Sequence, residues 1–562
     1  MIFCPLRHLR DTSPWVGGKT WLVFLGSHFG GAVAKRLRGV KGEVFSEVPM
    51  LKRLPIGQQD FASIIEDNGV YADKTKNIYD LLQTAQFFFL SRPRRFGKSL
   101  LISTLKYLFE GRKELFAGLW IEDKIEWKKI PVIRIDFTAG EDDSIVGLAK
   151  AIESIIDDEA KRNKVTLSKE THSGKFAELI NTLYETTGEK VVVLVDEYDK
   201  PLIEHINNPE KAEENRLILR KFYGVLKPCS DKLRMVFLTG ISRFSKLSIF
   251  SELNNLNDIS MDKKFASLCG FTKDDLNKYF SEYKDSACEE LELSEEQLDD
   301  KITYWYDGYK FDGETHIYNP FSMLNFFSKQ KFKNYWFDSG LPKLLVDFIR
   351  KNGINAEELE NTVLSEATLN NFDISKINIK ALMFQTGYLT IVGKTESGKY
   401  VLDYPNEEVR RSFAAYMLDN FTDQVIEDKD EFMLDALKAG DVDRFITGAN
   451  SLLSSIPYKI IEAENENYFS SLMHVLLRTL GYTATSELMS YRGRADAIIK
   501  TRNFIYAFEY KIAPHTAAEG MEQIKSRGYT DEFAADPRKK IAVSLVIDKE
   551  KRQITGYLKE EL

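Results

Sequence analysis

At 562 residues the chain exceeds what one hydrophobic core can organise, and its length predicts three or four domains. With 43% hydrophobic and 29% charged residues, a net charge of −8 and no run of eighteen apolar residues, the composition is that of a globular protein with no membrane span and no global basic field for nucleic acid. Cys4, Cys229, Cys269 and Cys288 lie far apart without C-x-x-C or ligand-spaced histidines, which excludes a disulfide framework or a zinc site and suits a reducing cytoplasm.

Residues 1–49 carry seven Lys/Arg against three Asp/Glu and an apolar stretch from Trp21 to Ala34. Met50-Leu51-Lys52-Arg53-Leu54-Pro55-Ile56-Gly57 then reads as a natural beginning, so the first 49 residues are expected to be a non-native or disordered extension. The apolar run Phe87–Leu90 predicts a buried strand. Ser91-Arg92-Pro93-Arg94-Arg95-Phe96-Gly97-Lys98-Ser99 follows, and Leu100, Leu101, Leu105 and Leu108 then recur at helical spacing. Strand, loop, Gly-Lys-Ser and helix form the layout of a phosphate cradle: amides at the helix N-terminus face an anion, Lys98 reaches the β- and γ-phosphates, and Ser99 holds Mg²⁺. The loop signature asks for glycine five residues before Gly97, where this chain has Arg92.

Pro131–Phe137 reads as a second strand, with helical patterns over 144–163 and 172–186. Val191–Val195 predicts a strand buried on both faces and ends in Asp196-Glu197 at the sheet edge where α/β proteins bind ligands. Asp196 would orient Mg²⁺, and Glu197 would align and polarise the attacking water. A further strand, Leu233–Gly240, puts Thr239 at its polar end. Arg243 beyond it either senses phosphate charge in cis or belongs to a surface salt bridge. The alternation of strands and helices predicts a doubly wound sheet.

Leu54-Pro55-Ile56-Gly57, Tyr71-Ala72-Asp73-Lys74-Thr75, the Arg92–Ser99 loop, Asp196-Glu197-Tyr198-Asp199-Lys200-Pro201 and Thr239-Gly240-Ile241-Ser242-Arg243-Phe244 recur in this order in one family. Over nearly all of 50–562 the chain resembles the AAA-ATPase-like proteins of bacteria and archaea, which typically carry a C-terminal nuclease-like domain. The resemblance implies a P-loop NTPase parallel sheet, ATP as ligand, and a cradle in which Arg92, Arg94 and Arg95 accompany Gly97, Lys98 and Ser99; Thr239, by its place at the strand end, would touch the γ-phosphate or the attacking water, and Arg243 stays open between the two readings above.

In the middle, Thr272–Asp275 and Ser294–Gln297 match capping boxes that open helices. Trp305, Tyr306, Tyr309, Tyr318 and Phe321 are read as packing a helical subdomain. Gly387–Val392 and Tyr400–Leu402 predict a hairpin, by analogy the wing of a winged-helix module, and 406–450 reads as a helical connector.

From Glu466 a helical pattern runs to Leu480. Ala495–Ile499 and Phe504–Ile512 then predict a hairpin carrying Asp496 on one strand and Glu509 and Lys511 on one face of the other. Two carboxylates with a lysine suit a Mg²⁺ site in which the acids hold the metal and the lysine positions or deprotonates water. The Asp-x₁₂-Glu-x-Lys spacing resembles the PD-(D/E)xK nuclease superfamily; Ala495 replaces the usual proline, and Glu466 fits its extra metal carboxylate, with Glu464 as a rival. His474 is read as packed, and His515 has no partner at ligand spacing. The expected domains are 50–270 (ATPase-like), 271–450 (helical, winged-helix-like module and connector) and 451–562 (α/β nuclease-like). The expected activity is ATP binding coupled to Mg²⁺-dependent cleavage of phosphodiester bonds; DNA as the preferred substrate is what the nuclease resemblance alone implies, and a homo-oligomer is left open. The competing expectation is a nucleotide-switched protein that only holds DNA or a protein partner.

Overall fold

The computed structural model describes residues 51–562 apart from 139–146, 207, 244–252, 254, 337–344, 347, 350–358, 371–376, 423–426, 455–471, 478 and 481–496. The expected extension and the start at Met50 fall outside the described residues.

Five parallel strands form the first sheet: β1 (Phe87–Ser91), β2 (Val132–Asp136), β3 (Val191–Asp196), β4 (Leu233–Gly240) and β5 (Asn257–Asp258), in the order β2-β3-β4-β1-β5. Every residue of β1 and β3 is buried. Such strands need cover on both faces, which the helices Lys98–Phe109, Leu148–Arg162, His172–Thr187 and Pro209–Gly224 provide. β4 lies between the strand that leads into the cradle and the strand that ends in acids. The register Leu90↔Thr239 and Val195↔Leu238 therefore brings Thr239 between the two loops.

The middle of the chain builds a second core. Both predicted capping boxes are present, at Thr272 with Asp275 and at Ser294 with Gln297. Tyr306 and Tyr318 are buried in a cluster with Phe280, Phe326 and Phe327. The hairpin is present as β7 (Thr390–Lys394) and β8 (Tyr400–Asp403), joined on the far side of β8 by β6 (Thr362–Leu364) in an antiparallel sheet ordered β6-β8-β7. The helix before the hairpin, Ile379–Thr386, is buried along almost its whole length, so it presents no exposed face for a groove.

The last sheet is mixed: β9 (Ala497–Lys500), β10 (Phe504–Ile512), β11 (Lys539–Asp548) and β12 (Gln553–Glu561), ordered β12-β11-β10-β9. β9–β10 and β11–β12 are antiparallel, and β10–β11 is parallel. Strand alternation splits β10 between two cores. Tyr506 and Phe508 face one way, Ile505 and Ala507 the other, toward the Ala517–Ser526 helix. The first face is closed by helices that sequence reading treated as a connector. Phe445 of the Val442–Ser454 helix lies 5.3 Å from the Phe508 ring, Asn450 accepts from the Ile554 amide at 2.6 Å, and the Tyr506 hydroxyl donates to the Leu437 carbonyl at 2.7 Å. Residues 427–454 thus pack against the C-terminal sheet and cover part of its apolar face.

Candidate functional site

Two sites are built, one at the parallel sheet and one at the C-terminal sheet. At the first, β1 runs into the 92–97 loop, where Arg95 and Gly97 have φ of +69° and +88°. A Cβ at Gly97 would meet nothing within 4 Å, so its glycine answers to backbone conformation, not to space. The turn starts the Lys98–Phe109 helix. Lys98 folds back over the loop: its Nζ donates to the carbonyls of Arg92 (3.0 Å) and Pro93 (3.2 Å) and lies 3.5 Å from Glu197 Oε1. The Ser99 hydroxyl hydrogen-bonds Asp196, and Thr239 Oγ1 donates to Asp196 Oδ1 at 2.7 Å. Burial pushes the Asp196 carboxyl up, and the Ser99 and Thr239 hydroxyls pull against it.

A cavity of about 420 Å³ opens onto this set, lined by Arg94, Arg95, Gly97, Lys98, Ser99 and Glu197. Its other walls come from the segment that carries Tyr71 and Lys74 and from Phe271 and Phe321 of the middle region, where the Arg95 guanidinium sits 4.8 Å over the Phe321 ring. Phe321, read as a packing residue, is therefore part of the cavity wall.

Arg92, expected at the nucleotide, and Arg243, for which that is one of two readings, have side chains elsewhere. Arg92 is 1% exposed; its guanidinium donates to the carbonyls of Ser91 (2.9 Å) and Ser260 (2.7 Å) and lies 4.2 Å over Phe311. It braces the loop from beneath, taking up one carbonyl at the end of β1 and one just after β5, and burial lowers its pKa to about 10. Arg243 is buried as well, 3.5 Å from Asp258, and its amide donates to Gln385 Oε1 at 2.9 Å, so it is no surface salt bridge. Both arginines line a separate small cavity with Gln385.

The middle region clasps the loop. Trp336 Nε1 donates to the Arg94 carbonyl at 3.0 Å, and Phe96 stands edge-on to Tyr309 and Phe311. Gly387, at φ +88°, lies so close that a Cβ would come within 2.7 Å of Pro93. Behind Trp336 the fully buried Glu408 carboxylate accepts from the amides of Tyr335 (2.6 Å) and Trp336 (2.9 Å) and from Ser322 Oγ (2.7 Å). Burial pushes this acid up to about 7.

Sequence reading gave Asp199 no role. It is wholly buried beyond Glu197 and accepts from Ile241 and Ser242, and burial with the nearby Glu197 charge pushes it up to about 6. The signal in the sequence was a third acid three residues after Asp196 and two before Pro201, which the chemistry of the first pair does not need.

At the second site Glu509 and Lys511 share the face of β10 that meets the Ala517–Ser526 helix. Lys511 Nζ donates to Glu509 Oε1 (2.8 Å) and Gln523 Oε1 (2.7 Å), and Gln523 Nε2 donates to the Tyr529 hydroxyl (3.0 Å). Glu509 is 2% exposed and burial raises its pKa, opposed by Lys511, Arg527 and the nearby Tyr529 hydroxyl. Its Oε2 is buried without a hydrogen-bond partner among the described residues. A carboxylate oxygen in that position is costly unless a cation or proton meets it, so the donor set fits a hard divalent metal. Asp496, Glu466 and its rival Glu464 lie outside the described residues; Asp496 precedes Ala497, which pairs with Phe508, the residue before Glu509. Among the described residues no three His, Cys, Asp or Glu side chains group as metal ligands. His474 is buried 3.5 Å from Glu360, and His515 pairs at 3.3 Å with Glu519, so neither joins the site. No helix among the described residues is long and apolar enough to cross a membrane.

Comparison with known proteins agrees with both halves. The family described as "Predicted AAA-ATPase" matches residues 55–250, and the PD-(D/E)XK nuclease superfamily matches residues 464–556. An uncharacterized protein from the vnfD 5' region of Azotobacter chroococcum mcd 1 is 36% identical over 525 residues, which cover 91% of this chain and 99% of that protein. The chain belongs to the AAA-ATPase-like family and carries a C-terminal PD-(D/E)XK nuclease superfamily domain.

Proposed function

We propose that the protein binds and hydrolyses ATP and that this activity is coupled to Mg²⁺-dependent cleavage of DNA. The observation that carries the first half is the hydrogen-bonded set of Ser99, Asp196 and Thr239 beside the Lys98–Glu197 pair, with Lys98, Ser99 and Glu197 lining a cavity of nucleotide size. Lys98 would leave the loop carbonyls for the β- and γ-phosphates. Glu197 would take a proton from the attacking water as its oxygen bonds the γ-phosphorus and the bond to the β-phosphate oxygen breaks. Ser99 and Asp196 would hold the accompanying Mg²⁺.

For the second half the support is the buried Oε2 of Glu509, which has no hydrogen-bond partner among the described residues, with Lys511 held 2.8 Å from Oε1. Glu509 and Asp496, with Glu466, would hold a divalent ion that lowers the pKa of bound water and neutralises phosphate charge. Lys511, fixed by Gln523, would orient the nucleophile or take its proton. DNA as substrate and a cytoplasmic location rest on the family likeness and on the unpaired cysteine pattern. The clasp of the middle region on the phosphate loop supports coupling, since a ligand that moves Lys98 or the loop is felt at Trp336 and Gln385.

The test incubates the full chain with linear and circular DNA, Mg²⁺ or Mn²⁺, with and without ATP, beside Lys98→Ala, Glu197→Gln and Lys511→Ala. Cleavage that needs metal and Lys511, and responds to ATP only when Lys98 is present, is the expected result. ATP hydrolysis without cleavage under any condition would overturn the nuclease half and leave a nucleotide-switched binding protein.

A further inference from the structure

The turn that carries Glu197 is fastened at two points to the neighbouring strand. β3 ends at Asp196, and Glu197 stands in the left-handed region at φ +52°, which a residue with a Cβ keeps only when its surroundings impose it. The next amide, of Tyr198, donates to the Thr239 carbonyl at 2.9 Å. One residue further, the Asp199 carboxylate accepts from the Ile241 amide (3.1 Å), the Ser242 amide (2.6 Å) and the Ser242 hydroxyl (2.5 Å). Its own carbonyl receives the amides of Leu202 and Ile203, both at 3.0 Å, so the same residue starts the following helix. Gly240 leaves the space for this grip: a Cβ there would stand 2.4 Å from Asp199 Oδ1 and 2.5 Å from the Tyr198 ring.

A carboxylate buried this completely costs far more than a neutral side chain of the same size, and the fold could join two strands without one. What the charge adds is a tight hold on two successive amides at the exit of β4. That hold fixes the distance between the strand bearing Thr239 and the turn bearing Glu197.

We propose that Asp199 is a positioning residue for ATP hydrolysis: by gripping the Ile241–Ser242 turn it holds Glu197 in its left-handed conformation, in line with Thr239 and Lys98. The inference rests on the assignment of Glu197 as the base. It differs from a strand fastener of general use in that the loss should fall on turnover and not on nucleotide binding, since the loop, Lys98 and Ser99 are built from other residues.

The experiment uses the full chain and compares wild type, Asp199→Asn, Ser242→Ala, Glu197→Gln and the double variants that combine each of the first two with Glu197→Gln. Two quantities are read: single-turnover ATP hydrolysis, and the dissociation constant of a fluorescent ATP analogue. Asp199→Asn keeps the shape but turns a donor toward an amide, and is expected to slow hydrolysis about tenfold to a hundredfold, the scale of a small misplacement of a reacting group. Ser242→Ala removes one donor and is expected to slow it about threefold to tenfold. Binding should stay within about twofold, and neither change should slow Glu197→Gln further, because a misplaced base and a missing base fail in the same way. Wild-type turnover in a folded Asp199→Asn protein, or losses that add to those of Glu197→Gln, overturns the inference. Should Asp199→Asn not fold, Ser242→Ala decides alone: unchanged turnover, or turnover and binding lost together, overturns it. If Glu197→Gln itself hydrolyses ATP at the wild-type rate, the assignment of the base falls and takes the inference with it. An inactive Glu197→Gln beside a fully active Asp199→Asn refutes the role of Asp199 alone.

Discussion

Replacing Glu408 by glutamine should make the protein more stable above neutral pH, although it removes the charge from a residue with three hydrogen-bond partners. The carboxylate accepts from two amides through Oε1 and from Ser322 Oγ through Oε2. A glutamine can reproduce all three contacts: its carbonyl oxygen takes both amides, its NH₂ donates to the serine oxygen, and the serine hydroxyl turns away. The acid is held near 7 by burial against 4.5 for an exposed glutamate, so between those values the folded state keeps a proton that the unfolded chain releases. Folding stability therefore falls as pH rises through that window and is level above it, by about 3 kcal/mol in all. Glutamine never pays this cost. Glu408→Gln and wild type should unfold together at pH 5 and separate as pH rises, until the variant leads by a few degrees in thermal midpoint at pH 8. Tryptophan fluorescence follows the transition, because Trp336 is one of the groups that the carboxylate holds. Equal pH slopes in the two proteins, or a variant less stable at pH 8, would refute the account.

Three further outcomes follow from the loop and the second site. Gly387→Ala forces a Cβ to within 2.7 Å of Pro93 at a φ of +88°, and should weaken nucleotide binding, measured by titration, about tenfold while the far-UV spectrum stays unchanged. Trp336→Phe keeps the packing but removes the donor to the Arg94 carbonyl, a loss of about 1 kcal/mol that should appear in nucleotide affinity as about a fivefold change. Gln523→Ala releases Lys511 on one side and should lower cleavage by at least tenfold with metal affinity unchanged, whereas Glu509→Ala should abolish metal binding itself, both followed by calorimetry with Mn²⁺.

The parallel sheet was legible because its strands are largely apolar runs that stop at polar residues of the candidate site: Phe87–Leu90 before the loop, Val191–Val195 before Asp196, Leu233–Leu238 before Thr239. The capping boxes at Thr272 and Ser294 were legible for the same local reason. Less readable was anything settled by tertiary contact. β5 is two residues long and β6 three, shorter than any pattern can register. The Val442–Ser454 helix is amphipathic, but its sequence does not say that its apolar side meets Phe508 rather than the middle region. Arg92 sits in a run of basic residues beside a cradle, where the sequence favours a phosphate contact; only the carbonyls of Ser91 and Ser260 around it reveal a brace. Glu509 and Lys511 were legible through their spacing, while the partnership of Lys511 with Gln523 needs the helix to fold back twelve residues later.

The clasp on the phosphate loop also bears on how the chain can be made and cut. The loop occupies residues 92–97, but the indole that caps it arrives at position 336, a separation of 242 residues from Arg94, and the glycine that abuts Pro93 arrives at 387. During synthesis the cradle strand and its helix leave the ribosome long before these partners, so the loop can take its final shape only late. A fragment ending near residue 270 would keep every residue of the nucleotide signature and lack the wall that shapes it. Such a fragment should bind nucleotide poorly for want of a partner that no motif marks, and adding the 271–422 segment in trans should restore what the signature alone does not provide.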